Sequence, residues 1–294
     1  MKCLVVASLA SVVILVSDAL AQTPVFYVVN QNNNTIYKFD EAGTPTLFAN
    51  AHMDHPGGIA MRGGYLYVAN QNNNTIYRFD SHGDGTLFAN AGLLYPVGLA
   101  FDSNGYLYVA NESDNSIYRF DAAGNGTLFA NTLLNAPMGL AFDLGGNLYV
   151  ANYGDNTIAK FTPGGAGSVF ANTSLSGPAG LAFDNNGDLY VANQTGNTIY
   201  RFNPSGSGTL FTNIGLNAPA GLVFDSNTNL YAVNSGNNTI EKYDASGSES
   251  VFADSQLSGP QFLVMTGIPL VPEPASSLLL SGGILWVFFE RRRR

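Results

Sequence analysis

His52, Asp54 and His55 stand in one short run, Ala51-His52-Met53-Asp54-His55-Pro56, and include two of the chain's three histidines. Two imidazoles and a carboxylate could supply three ligands to a divalent metal. The spacing argues against it, because the histidines are three residues apart on a loop and lack helical registration. His82 belongs to a turn on the other side of the same repeat unit. A second set of oxygen ligands, Asp184-Asn185-Asn186-Gly187-Asp188, resembles half of a calcium loop but lacks the bidentate glutamate. Hairpin-turn chemistry accounts for it, and related runs occupy the same slot at 102–105 and 143–146. No serine has a Gly-x-Ser-x-Gly context and no phosphate loop is visible. The residues call for no cofactor.

The elements that carry these groups repeat. Asn30, Asn70, Asn111, Asn152, Asn193 and Asn234 end the phrase LYVAN or a variant of it, at a spacing of 41 residues (40 once). Prolines (Pro56 to Pro260) and a basic residue (Lys38 to Lys242) keep the same rhythm. A fixed period of this size marks a solenoid or a propeller. Within the second unit, YLYVA (65–69), TIYRF (75–79), TLFA (86–89) and VGLAF (97–101) are short runs rich in β-branched and aromatic residues. Asn, Asp, Gly, Ser and Pro bound them, which is strand-and-turn grammar. Four strands per unit predict an all-β, six-bladed propeller with four antiparallel strands per blade. The strands are apolar on both faces, as a sheet packed between two neighbours requires. Gly98, Gly139, Gly180 and Gly221 place GLAF or GLVF next to the axis, where strands crowd. The first unit lacks its inner strand and the last segment, QFLVM (261–265), is an inner strand without a unit. The ring is therefore expected to close by that C-terminal strand completing the first blade, which removes the free sheet edges.

On such a ring, the loops after LYVAN share a face with the loops entering GLAF. That face carries QNNN (31–34 and 71–74), ESDN (112–115), YGDN (153–156), QTGN (194–197) and SGNN (235–238). Amides both donate and accept, so the crown suits a hydroxyl-rich ligand. Asn30, Asn70, Asn111, Asn152, Asn193 and Asn234 are its candidate ligand-binding residues. They could equally fold back to hold their own turns, leaving binding to the residues that follow.

The ends of the chain carry addresses. Residues 1–21 have the form of a secretory signal peptide, with Lys2, an apolar core and Ala19-Leu20-Ala21 before Gln22. The lone cysteine, Cys3, lies within it, so the predicted domain, 22–266, has no thiol and no disulfide. Without its two ends the chain keeps seven cations against an excess of acids, which disfavours a nucleic-acid partner. The tail, 267–294, contains Pro272-Glu273-Pro274, a short apolar segment at about 275–289 and Arg291 to Arg294. The segment is short for a bilayer span, and the arginines would stay in the cytoplasm.

Two resemblances follow from these residues. The tail resembles a PEP-CTERM sorting signal, which implies processing by signal peptidase and exosortase, a transient inner-membrane anchor, and export to the periplasm, cell surface or extracellular matrix of a Gram-negative bacterium. The repeats, with P-x-G-[LI]-A-F-D-x-x-G-x-L-Y-V-A-N followed by N-T-I-x-[RK]-F, resemble NHL-type six-bladed propellers. That family includes sensor domains, protein-binding platforms, lactonases and lyases. The expected function is a monomeric, non-enzymatic binding or scaffold module for polysaccharide or a surface protein. A metal-dependent lactonase of the gluconolactonase type is the alternative.

Overall fold

The computed structural model describes residues 23–266. The signal-peptide reading of 1–21 and the sorting-tail reading of 267–294, with Pro272, Glu273 and Pro274, lie outside the described residues. Six four-stranded antiparallel sheets account for the strands that are described, and they form a β-propeller. In the second blade the strands run Pro56–Arg62, Tyr65–Asn70, Thr75–Phe79 and Gly85–Ala89, in that order from the axis outward. Every later blade up to the sixth repeats this order.

The first blade is assembled from both ends of the described chain. Pro260–Met265 is its inner strand and pairs antiparallel with Phe26–Asn30, setting Phe26 opposite Met265 and Val28 opposite Leu263. Beyond the last pair, the Thr266 amide donates to the Val25 carbonyl (2.9 Å) and the Val25 amide to the Thr266 hydroxyl (3.0 Å). The expected closure is therefore present.

Strand alternation divides each blade between two cores. In the second blade, Tyr67, Ala69 and Ile76 face the third blade and pack with Leu99, Leu107, Val109 and Phe120. Leu66, Val68 and Phe79 face the first blade and pack with Val29, Ile36 and Ala49. The side chains of the inner strands thus fill the gap between twisted sheets, and the outermost strand carries the blade's solvent face, where Leu87 is 51% exposed. Tyr67 meets Phe88 of its own blade and Phe101 of the next edge-on, with centroids 5.0 and 4.9 Å apart. That T-shaped triad recurs at Tyr108, Tyr149 and Tyr190.

Next to the axis the blades touch through backbone. A Cβ on Gly139 would overlap the Ala179 carbonyl of the next blade, and one on Gly98 the Met138 carbonyl. Glycine is required here for close approach. The repeated basic residue packs its head within its own blade: the Arg78 guanidinium lies 4.6 Å above the Tyr65 ring and that of Arg119 4.8 Å above Tyr106. Lys160 sits over Tyr149 at 4.9 Å and pairs with Asp143 at 3.6 Å.

Candidate functional site

The loop-bearing face is built by asparagines that the strands hold in fixed places. Asn152 ends a second strand and is fully buried. Its amide nitrogen donates to the Leu133 carbonyl (2.9 Å) and to the Thr157 hydroxyl (2.9 Å). Its Oδ1 accepts from the Asn135 amide (3.2 Å). Leu133 and Asn135 belong to the loop that enters the blade from its predecessor, and Leu133 has a positive φ of 59°. One side chain therefore satisfies both polar ends of a strained loop. Asn30, Asn70, Asn111, Asn193 and Asn234 make the same three contacts and are equally buried. As candidate ligand contacts these six are corrected: no face of their amides is open to a ligand.

A second set clamps neighbouring blades. Asn34, Asn74, Asn115, Asn156, Asn197 and Asn238 all take positive φ, and each Oδ1 accepts the amide of the residue before the next blade's first proline at 2.6–2.8 Å. Asn is among the few residues other than glycine that visit this backbone region readily, and here its side chain is held by the next blade.

The proposed metal trio does not assemble. The His52 ring stacks on Tyr77, centroids 4.9 Å apart and planes 9° from parallel. Asp54 Oδ1 accepts from the Asn72 side-chain amide (3.1 Å), and His55 Nδ1 meets Gln71 Oε1 (2.7 Å). Three groups with three different partners do not converge, and among the described residues no His, Cys, Asp or Glu trio does. At the opposite face, Asp184 Oδ1 caps its own turn, accepting from the Asn186 and Asp188 amides, both at 2.9 Å. Its carboxylate is spent on the hairpin.

The residue after each structural asparagine is Gln31, Gln71, Glu112, Tyr153, Gln194 or Ser235, and all but Gln71, which is 5% exposed, keep some open surface. The backbone amide of each donates to the carbonyl of the residue before an inner-strand proline, at 2.8–3.2 Å. These six therefore stand around the axis beside the starts of the inner strands, and their side chains differ where the asparagines do not. On one side they form a chain: Gln261 Nε2 donates to Gln31 Oε1 (3.2 Å), and Gln31 Nε2 to Gln71 Oε1 (2.7 Å), which also meets His55. On the other side the Tyr153 hydroxyl reaches Thr195 of the next blade (3.3 Å). Glu112 is the ring's one acid. Burial raises its carboxyl above the usual range, and Tyr95 beside it is raised first by burial and then by the Glu112 charge. The crown expected from the sequence contains these six, as the residues that follow the asparagines; they stand out as the position that varies next to one that never does in six internal copies.

No known family matches the sequence, and no curated protein does. Solved structures do match. A chain of a nidogen/laminin complex superposes with a TM-score of 0.75 at 19% identity, covering 82% of this chain and 98% of that one. Virginiamycin B lyase from Staphylococcus aureus gives 0.64 at 18%, covering 83% and 89%, and a streptogramin B lyase 0.64 at 17%, covering 80% and 82%. At such identities the likeness concerns the fold, and that fold serves both a binding partner and an enzyme.

Proposed function

We propose that the chain is an exported, non-enzymatic binding module whose ligand is a polysaccharide held over the axis on the loop-bearing face. The observation that carries this reading is the ring of Gln31, Gln71, Glu112, Tyr153, Gln194 and Ser235 around the axis. Its amides and hydroxyls suit sugar hydroxyls as donors and acceptors at once, and Tyr153, about one-third exposed at 36%, offers an aromatic face. Several modest contacts around one axis add, as in any multivalent site. The sequence of the two ends supports export, sorting and a transient inner-membrane anchor for the same product.

The experiment is a glycan and surface-protein array probed with the purified chain, followed by titration of the best hit. A double variant, Tyr153→Ala with Gln194→Ala, should bind a glycan hit about tenfold more weakly or worse, the loss of one aromatic anchor being about 1.4 kcal/mol or more. Its unfolding midpoint should not move, because neither side chain is buried. Binding confined to protein features, or binding untouched by the double variant, would overturn the polysaccharide reading.

A hydrolase or lyase reading has one specific observation in its favour. Glu112 is a half-buried carboxyl on the loop-bearing face whose pKa burial raises, and a general acid needs that environment. Turnover of lactones or esters that Glu112→Gln abolishes would replace binding with catalysis as the conclusion.

A further inference from the structure

The first three blades share a niche where the loop arriving from the previous blade lies over the third strand, whose middle residue is tyrosine there and Ala159 in the fourth blade. The loop's positive-φ residue and the middle residue of that strand fill it together. In the second blade His52 stacks on Tyr77, and in the first the Tyr37 hydroxyl donates to Gln256 Oε1 (2.8 Å). In the third, Gly92 lies so close to the Tyr118 ring that no Cβ would fit. The sixth blade departs from this pattern at three positions at once. Glu241 replaces the tyrosine, Tyr243 replaces the phenylalanine of Phe79 or Phe202, and Glu249 stands where Gly85 and Gly208 stand. Tyr243 and Glu249 are register partners, and the Glu249 carboxylate lies against Gly215 of the covering loop.

We propose that Glu241 and Glu249 bind one divalent cation of the calcium class at the junction of the fifth and sixth blades, separate from the ring of residues that follows the structural asparagines. Glu241 is only 3% exposed. Its Oε1 accepts from the Thr239 hydroxyl (2.7 Å), while among the described residues nothing donates to Oε2. A buried carboxylate oxygen without a donor is costly unless a cation or proton answers it. Burial is the main influence raising the Glu241 carboxyl, and the charges of Glu249 and Asp254 add to it, against the Thr239 hydrogen bond. So the residues around it supply negative charge and no base. The Tyr243 hydroxyl cannot help, because it donates to the Ile214 carbonyl (2.7 Å).

The donor set is oxygen alone, which suits calcium and not zinc. Among the described residues no third acidic or histidine side chain converges with the pair, so water completes the coordination. Entry is open, because Glu249 and Gly215 are both exposed. The site also touches the loop-bearing face. The corresponding hydroxyls of Thr75, Ser116 and Thr157 donate to their own loops at 2.6–2.8 Å. Thr239 is 3.1 Å from Asn237 and turns instead to Glu241. A cation that takes Glu241 returns that hydroxyl to the loop.

Terbium luminescence excited through tyrosine, with competition by Ca²⁺, tests this on the purified full chain, since the Tyr243 ring adjoins the site. One saturable site is expected, along with a rise in unfolding temperature when Ca²⁺ is added. Glu241→Gln should weaken binding about tenfold or more, because the charge of the site is halved. A triple variant, Glu241→Tyr, Tyr243→Phe and Glu249→Gly, restores the residues of the fifth blade (Tyr200, Phe202, Gly208) and should fold yet bind nothing at this site. If the wild-type chain shows no saturable site at millimolar Ca²⁺, or if both variants bind as it does, the proposal falls, and the pair shares a proton instead.

Discussion

A chain that stops after Gly259 will fail to fold, while one that stops after Thr266 will melt cooperatively. The two differ only by Pro260–Thr266, the inner strand of the first blade and its last backbone bonds. Leu263 and Met265 are 4% and 8% exposed and belong to the core shared with the sixth blade. Phe262 and Val264 pack on the core shared with the second. Two fully buried apolar side chains are worth about 1.5–3 kcal/mol each. The two partly buried ones and each ladder hydrogen bond add about 1 kcal/mol apiece. The sum approaches the whole stability of an ordinary domain, about 5–15 kcal/mol. Removing the strand also bares the edge of Phe26–Asn30, where another chain can pair. Circular dichroism with thermal and urea melts would decide. A sharp, reversible transition in the shorter chain would mean that the ring does not need this strand. A milder version, Leu263→Ala in the complete chain, should cost about 2–5 kcal/mol through the cavity it leaves.

That closure was legible in the sequence because it is a question of counting. A repeat that begins one strand late and ends one strand over can be satisfied only by joining its ends. The inner position of GLAF was legible for a related reason, since Gly98, Gly139, Gly180 and Gly221 repeat at a place where only backbone fits. Asn152 and its equivalents were half legible. Their invariance over six copies suited a crown of ligand contacts or a set of loop staples. Only burial separates the two, and burial depends on a loop that precedes Asn152 by 17 to 19 residues. The chain from Gln261 through Gln31 and Gln71 to His55 could not be read at all, because it joins the two ends of the described chain. The same holds for the sixth-blade niche. Glu241, Tyr243 and Glu249 were visible as departures, but their shared surface with Ile214 and Gly215 belongs to the fold. His52 failed as a metal ligand for a packing reason: its ring is the lid on Tyr77.

Asn152→Ala should lower stability by about 2–3 kcal/mol, and Asn72→Ala by less than about 0.5 kcal/mol. Asn152 is fully buried and holds the Leu133 carbonyl, the Asn135 amide and the Thr157 hydroxyl. Alanine leaves the Leu133 carbonyl and the Asn135 amide without a protein partner, while the Thr157 hydroxyl keeps its bond to Asp155; each orphaned group costs about 1–3 kcal/mol where water cannot replace it. The loop's own exposure lets water recover part of that, since Leu133 is 43% exposed, so the estimate stays below the full sum. Asn72 is exposed, and its amide reaches only the Asp54 carboxylate (3.1 Å), so its removal disturbs nothing buried. Urea midpoints at constant m-value give both numbers. The comparison also separates two roles that sequence alone leaves fused. If Asn152 is a staple, any loss of ligand binding in Asn152→Ala will follow the fraction unfolded and vanish under conditions where the variant is fully native. An unchanged urea midpoint together with abolished binding would return Asn152 to the ligand and make the ring that follows it a bystander.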